Sequence, residues 1–417
     1  MGLTLVEKVL ARTSNTPAVK PGDVVFASPD LVVAHETNFH VGIEQIDLIG
    51  VERIFDPTRM IAIIDHDIPG VNAHSVELKK KTRRLAKEQG VRLYDVGRQG
   101  ISHQLPAESG DVRPGMFVAT SDIHSTTLGG LGAIVIPISR DIRSVYATGE
   151  SWFRVPATIR INLSGELQSW MTSRDVAQWI LGKIDPDDAD YRVIEFGGPL
   201  IDTMDIDGRM TLCNVMVELG VKTAVVPPDE TTFAYVRERT GATFEPVWSD
   251  ADAEYERVLA FDVGGIGPHV GMPPSPDNIH PIAEALGVKV NQAYIGSCAG
   301  GRMEDLRIAA RVLAGRQIHP DVRLLVVPTS QQIFADAAAE GLVEQFVRAG
   351  ALFMNSTCGP CYGKQAMLAA GETCIATSTR NDRGRMGSTE ASIYLGGPST
   401  VAASAVKGEI ADPREFV

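Results

Sequence analysis

"RMIAIIDHDIPGVNAHSVELKKKTRRLAKEQG", Arg59 to Gly90, is the stretch on which the reading of the fold turns. A short apolar run with branched residues, Met60 to Ile64, ends in the polar pair Asp65-His66. A charged, helical pattern follows and stops at Gly90, so the segment reads as strand, turn and helix. Working outward, the same kind of strand recurs in "GMFVATSD", "GAIVIPIS", "ATIRINL", "KTAVVPP", "KVNQAYIGS", "VRLLVVPTS", "ALFMNST" and "TCIATST". Helical patterns lie between many of them, including "SRDVAQWILGKI", "RMEDLRIAARVLAGR" and "SQQIFADAAAEGLVEQFVRAG". This alternation predicts α/β domains built on mostly parallel sheets.

Polar clusters sit just after the strands: Asp65-His66, Asp122 and His124, Cys298, Cys358 and Cys361, and Arg380. Ligands of parallel α/β sheets bind outside the carboxyl ends of the strands, which predicts that these clusters face one cleft. Composition shifts near "WFRVP" (152–156) and in the Pro/Gly-rich "GGIGPHVGMPPSPDN" (264–278) predict three domains, at 1–155, 156–284 and 285–417, each of ordinary size. A net charge of −13 with no basic block argues against nucleic acid or an anionic membrane as a partner. The opening "MGLTLVEKVLARTS" carries charges through a helical pattern and is unlike a signal peptide, and no apolar run has the length of a membrane span. The expected location is the cytoplasm. There the five cysteines, Cys213, Cys298, Cys358, Cys361 and Cys374, should be reduced.

The C-x-x-C pair Cys358 and Cys361 in "NSTCGPCYG" admits three readings: metal ligands, a redox dithiol, or small buried hydrophobes. A redox pair belongs at the start of a helix, whereas Tyr362-Gly363 follows here with no clear helical run. Cys298 lies far upstream in the glycine-rich turn "YIGSCAGGR". Three cysteines on two turns are one ligand short of a Cys₄ iron–sulfur cluster. An iron left open in this way binds a hydroxyl and a carboxylate and acts as a Lewis acid.

"YIGSCAGGRMEDLRIAA", "STCGPCYG", "GRMGSTEASIYLGGPSTVAASAVKGEIADPR", "ISHQLPAE" and "ATGESWFRVP", taken together, resemble the aconitase superfamily, most closely its large subunits of the 3-isopropylmalate dehydratase and homoaconitase kind. The resemblance implies a three-domain α/β body that holds a 4Fe-4S cluster on Cys298, Cys358 and Cys361. It implies dehydration and rehydration of a 2- or 3-hydroxy acid. Asp65 and His66 match the family's Asp-His acid pair, His103 a second active-site histidine, and Asp122 and His124 the outer members of an Asp-Ser-His triplet. Asn214 and Glu218 in "CNVMVELG" match a pair that lies near the cluster-bound water, and Arg380 and Arg385 match two arginines that grip substrate carboxylates.

The chain also departs from that pattern. Ile123 replaces the serine of the triplet, Ala299 and Gly300 stand in place of Thr and Asn, Thr379 in place of Asn, and Asp382 in place of Phe. His40 falls where aconitases have a substrate-contacting glutamine. A site that drops polar donors suits a substrate with fewer polar groups, which points to an alkyl-substituted malate-type diacid. Homoaconitase and maleate- or citraconate-type hydratases are the neighbouring readings, and an iron-sensing binder on the same scaffold is the non-catalytic one. Single-chain aconitases continue into a mobile fourth domain that carries a catalytic serine. The sequence stops at "GEIADPREFV", so the resemblance implies a separate small subunit that supplies this swivel domain.

Overall fold

All four side chains of the strand Met60–Ile63 are buried, because helices and loops cover both faces of the sheet to which it belongs. The computed structural model describes residues 2–417. It divides into two compact units, one holding the residues up to 164 with 189–261, the other 165–188 with 262–417.

In the first unit five parallel strands run in the order Arg92–Tyr94, Met60–Ile63, Leu31–His35, Phe117–Thr120, Ile134–Pro137. The chain steps outward in one direction from Leu31–His35 and then returns to its other side at Phe117–Thr120. The strand order therefore reverses beside Leu31–His35, the position at which parallel sheets bind ligands. Alternate side chains serve two cores. Val32, Ala34, Met60 and Ala62 pack with Phe39, Ile43 and Leu85 from the helices Glu36–Asp47 and Ala73–Gln89. Leu31, Val33, Ile61, Ile63 and Val118 pack with Leu128 and Met210 on the opposite face. The helix Ala73–Gln89 starts at an Asn72–Ser75 capping box and ends, as the sequence predicts, at Gly90, with φ 76°. A second sheet in this unit orders Thr223–Val225, Val193–Gly197, Thr158–Ser164 and Arg257–Asp262.

The second unit is built on seven strands, ordered Ile279–Pro281, His269–Gly271, Ser392–Leu395, Thr373–Ala376, Gln292–Ile295, Arg323–Val326, Leu352–Phe353. The last five are parallel to one another and the first two form an antiparallel edge. Ala293, Ile295, Leu324 and Val326 face a core that includes Leu306, Phe346 and Val401. Tyr294, Leu325, Cys374 and Ala376 face the other way, toward Cys361 and Met386.

The fold is α/β with mostly parallel sheets, as predicted. The single pattern "SQQIFADAAAEGLVEQFVRAG" forms two helices, Gln331–Ala339 and Leu342–Ala349, because Gly341 takes the left-handed φ of 75° and turns the chain between them. Among the described residues no helix is long and apolar enough to cross a membrane.

Candidate active site

Four imidazoles and four carboxylates gather at the strand ends of the first unit. His66 donates from Nδ1 to the Asp65 carboxylate at 2.6 Å, and the second oxygen of Asp65 accepts the Ser102 N–H at 2.7 Å. Glu36 accepts the backbone N–H of His66 at 3.1 Å and lies 3.5 Å from its Nδ1. With Nδ1 committed, the nitrogen of His66 that exchanges protons is Nε2. Burial opposes ionisation of Asp65, yet His66 and the Ser102 N–H outweigh it and hold this carboxyl well below its ordinary range. The loop that follows takes a left-handed turn at Asp67, φ 55°. Buried Lys79, from the helix Ala73–Gln89, pins that turn by donating to the Asp67 carbonyl.

The second imidazole group surrounds Asp122, which caps the 3₁₀ segment Ile123–Leu131 by accepting the His124 N–H at 2.9 Å. His124 bonds Glu218 through Nε2 at 2.7 Å, with Asp122 3.6 Å from Nδ1. Burial works against charge on His124, but Asp122 and Glu218 together raise it to about 9. His103 is held between Ser125 at 3.2 Å and Asp122 at 3.4 Å. Burial lowers it to about 4 despite the Asp122 carboxylate. His35 stacks on His66 with ring centres 4.8 Å apart and is lowered by burial and by His66. At neutral pH His124 is thus protonated beside neutral His103 and His35. Environments that push paired groups apart in this way are those of general acid–base chemistry.

The structure brings Asp65, His66, His103, Asp122, His124 and Glu218 together with His35 and Glu36, two residues missed in the sequence. The run "LVVAHE" obeys the same strand-then-polar rule as the others and would have identified them. His40 is tied into its own helix through the Glu36 carbonyl at 2.8 Å, and the imidazole at this strand end is His35. Asn214 lies behind the set. It donates to Thr127 Oγ1 at 2.7 Å and to the His124 carbonyl at 3.4 Å, so it steadies the 3₁₀ segment. Ile123 is half-buried between Asp122 and His124.

In the second unit Cys298 follows the strand Gln292–Ile295 on a turn whose Ser297 has φ 68°. Thr377 staples this turn, its Oγ1 accepting the Gly296 N–H at 2.9 Å and lying 2.9 Å from the Gly296 carbonyl. A Cβ at Gly300 would stand 2.3 Å from the Thr377 Cβ, which accounts for glycine there. Cys358 and Cys361 flank a 3₁₀ turn, Gly359–Tyr362, with the Cys361 N–H on the Cys358 carbonyl at 3.1 Å. Residues three apart eclipse on such a turn, so both thiols leave from one side. All three cysteines lie within electrostatic reach of one buried phenol, that of Tyr294. Cys213 is buried in the first unit and Cys374 on the strand Thr373–Ala376, in the same cluster as Tyr294 and Cys361; burial pushes both thiols up, Cys374 to about 12, which leaves them unreactive.

Arg385 donates from Nε to the Cys361 carbonyl at 3.1 Å. Arg380 and Arg385 are both half-buried. The Thr379 hydroxyl is buried with no partner among the described residues. Arg174, fully buried, fixes this segment by donating to the carbonyls of Thr377 at 3.2 Å and Ser378 at 2.8 Å.

The model of the Aconitase family (aconitate hydratase) matches residues 7–289 and 283–408. Similar relatives include the 3-isopropylmalate dehydratase large subunit 1 of Methanopyrus kandleri, 43% identical with 100% of both chains covered. The 3-isopropylmalate dehydratase large subunit of Halothermothrix orenii is likewise 43% identical over 100% of each chain. The probable methanogen homoaconitase large subunit of Methanothermobacter thermautotrophicus is 40% identical, covering 99% of this chain and 98% of its own. The chain belongs to the aconitase family.

Proposed function

We propose that this chain is the large, catalytic subunit of a 4Fe-4S hydro-lyase that isomerises an alkyl-substituted malate by dehydration and rehydration. The observation that carries the reading is the set of imidazoles held on carboxylates, His66 on Asp65 at 2.6 Å, His124 on Glu218 at 2.7 Å and His103 3.4 Å from Asp122. The relatives named 3-isopropylmalate dehydratase supply the substrate class. Cys298, Cys358 and Cys361 would hold the cluster. Their soft sulfur donors on two turns suit iron–sulfur ligation, and the Tyr294 O–H beside them, which has no acceptor among the described residues, fits a polar group in that space. When bound, the cluster supplies a Lewis-acidic iron that polarises the departing hydroxyl.

The residues of the chain do the remaining work. His66, oriented by Asp65, protonates the departing hydroxyl from Nε2. His124 carries a second proton, retained by Asp122 and Glu218. Arg380 and Arg385 hold the substrate carboxylates. Ile123 offers an apolar contact where a serine would prefer a polar substituent, and Thr379 offers a single hydroxyl. His40 stays a candidate substrate contact only through its helix. A separate small subunit completes the enzyme, in keeping with relatives named as large subunits. A homoaconitase-type activity is the second reading, favoured by the methanogen relative.

The test is anaerobic reconstitution with iron and sulfide, then turnover with and without a small subunit. Broad visible absorption should form, be lost on Ser replacement of Cys298, Cys358 or Cys361, and survive at Cys213 and Cys374. Among hydroxy diacids, 3-isopropylmalate should turn over best. A colourless chain, or equal absorption without the three thiols, refutes the proposal.

A further inference from the structure

The strand Gln292–Ile295 sends Tyr294 toward the cysteine face of its sheet, where it packs with Cys361, Cys374 and Met386, and with Cys358 against them. The side chain is fully buried; the Ser297 backbone N–H faces its hydroxyl oxygen, and no acceptor among the described residues takes the hydroxyl proton. A buried O–H left without an acceptor is costly, and phenylalanine would fill the same space without that cost. The ring lies so close to the Cys298 turn that a Cβ at Gly296 would be 2.8 Å from the phenol oxygen. The residues after Cys298 carry no side-chain donor, being Ala299 and Gly300. Nor is there space for one at 300, where Thr377 blocks a Cβ.

Resting on the cluster reading above, we propose that the Tyr294 phenol donates a hydrogen bond to a sulfur of the cluster held by Cys298, Cys358 and Cys361, and thereby raises its reduction potential and retains its labile iron. An ordinary phenol is neutral at neutral pH, so it acts as a donor. A donor to sulfur stabilises the more negative, reduced cluster. It is a positioning and tuning residue and touches no substrate.

The experiment compares the reconstituted parent chain with Tyr294→Phe, which removes only the hydroxyl. Four readouts are taken: denaturant stability of the apoprotein, iron and sulfide content, cluster midpoint potential, and Fe–S stretching frequencies in H₂O and D₂O. The apo variant should be about as stable as the parent, since the O–H without an acceptor and the contact with the Ser297 N–H go together. The loaded variant should have a more negative potential, a smaller solvent isotope shift, and iron retention weakened about 10-fold. Equal potentials and equal isotope shifts overturn the proposal while leaving the cluster reading intact; a parent that never forms a cluster overturns both. Should Tyr294→Phe fail to fold, 3-fluorotyrosine at 294, a stronger donor, decides the matter. Its potential should move positive, and an unchanged potential refutes the hydrogen bond.

Discussion

Replacing Glu218 by Gln keeps the shape at His124 and removes one charge. His124 sits at about 9 in the folded chain, against about 6.5 for an ordinary histidine. At 1.36 kcal/mol per unit, the gap corresponds to about 3 kcal/mol of stability. Because the folded value is the raised one, that stability is fully present below about pH 6.5 and is lost as pH climbs through about 9. The 2.7 Å bond from His124 to the Glu218 carboxylate is charge-assisted, worth about 1.5–3 kcal/mol. Removing the charge should therefore lower the His124 value by about 1–2 units, to about 7–8. Histidine-labelled apoprotein would give that midpoint by NMR titration. Denaturant unfolding at pH 6.5 and 10 gives the linked energy: this histidine's share of the fall should shrink from about 3 to about 1 kcal/mol in the variant. An unchanged midpoint and an unchanged fall would refute the idea that Glu218 keeps His124 charged.

Asp65→Asn removes the charge that orients His66, and turnover of the reconstituted enzyme should drop about 10²- to 10⁴-fold with little change in KM; a loss confined to KM argues for a binding role. Gly300→Ala forces a Cβ against Thr377 and should cost about 1–3 kcal/mol in denaturant unfolding, so a variant as stable as the parent would show that the turn yields freely. Ile123→Ser should lower kcat/KM for 3-isopropylmalate relative to unsubstituted malate by about 10-fold, and an unaltered ratio would remove Ile123 from substrate selection. Thr377→Val takes away the hydroxyl that staples Gly296 and should cost about 1–3 kcal/mol in denaturant unfolding, against no cost if the turn is held by packing alone.

The parallel-sheet architecture was legible because buried strands such as "MIAII" are apolar throughout and end abruptly in polar pairs. The strand Leu31–His35 escaped, although it is entirely buried, and with it His35 and Glu36. Its neighbour in sequence, His40, drew attention instead because it falls where aconitases have a substrate-contacting glutamine, although its ring is tied to the Glu36 carbonyl of its own helix. The cysteine turns were visible from their glycines, whereas the Thr377 staple joins residues distant in sequence and leaves no local pattern. Asn214 shows the limit of motif reasoning: the resemblance sets it near a cluster-bound water, whereas its amide here donates to Thr127 and to the His124 carbonyl. Arg174 gave no signal at all, since its role rests on two carbonyls more than 200 positions away.

The bond between His124 and Glu218 spans 94 residues, and synthesis at about 5–20 residues per second separates the two by about 5 to 20 s. Until the second residue emerges, a nascent chain holds a histidine cation with half its anionic support. The charge set around His124 is thus completed only about midway through the chain, and a truncated product ending before Glu218 would carry the five strands of the first sheet and yet lack a carboxylate that keeps His124 protonated.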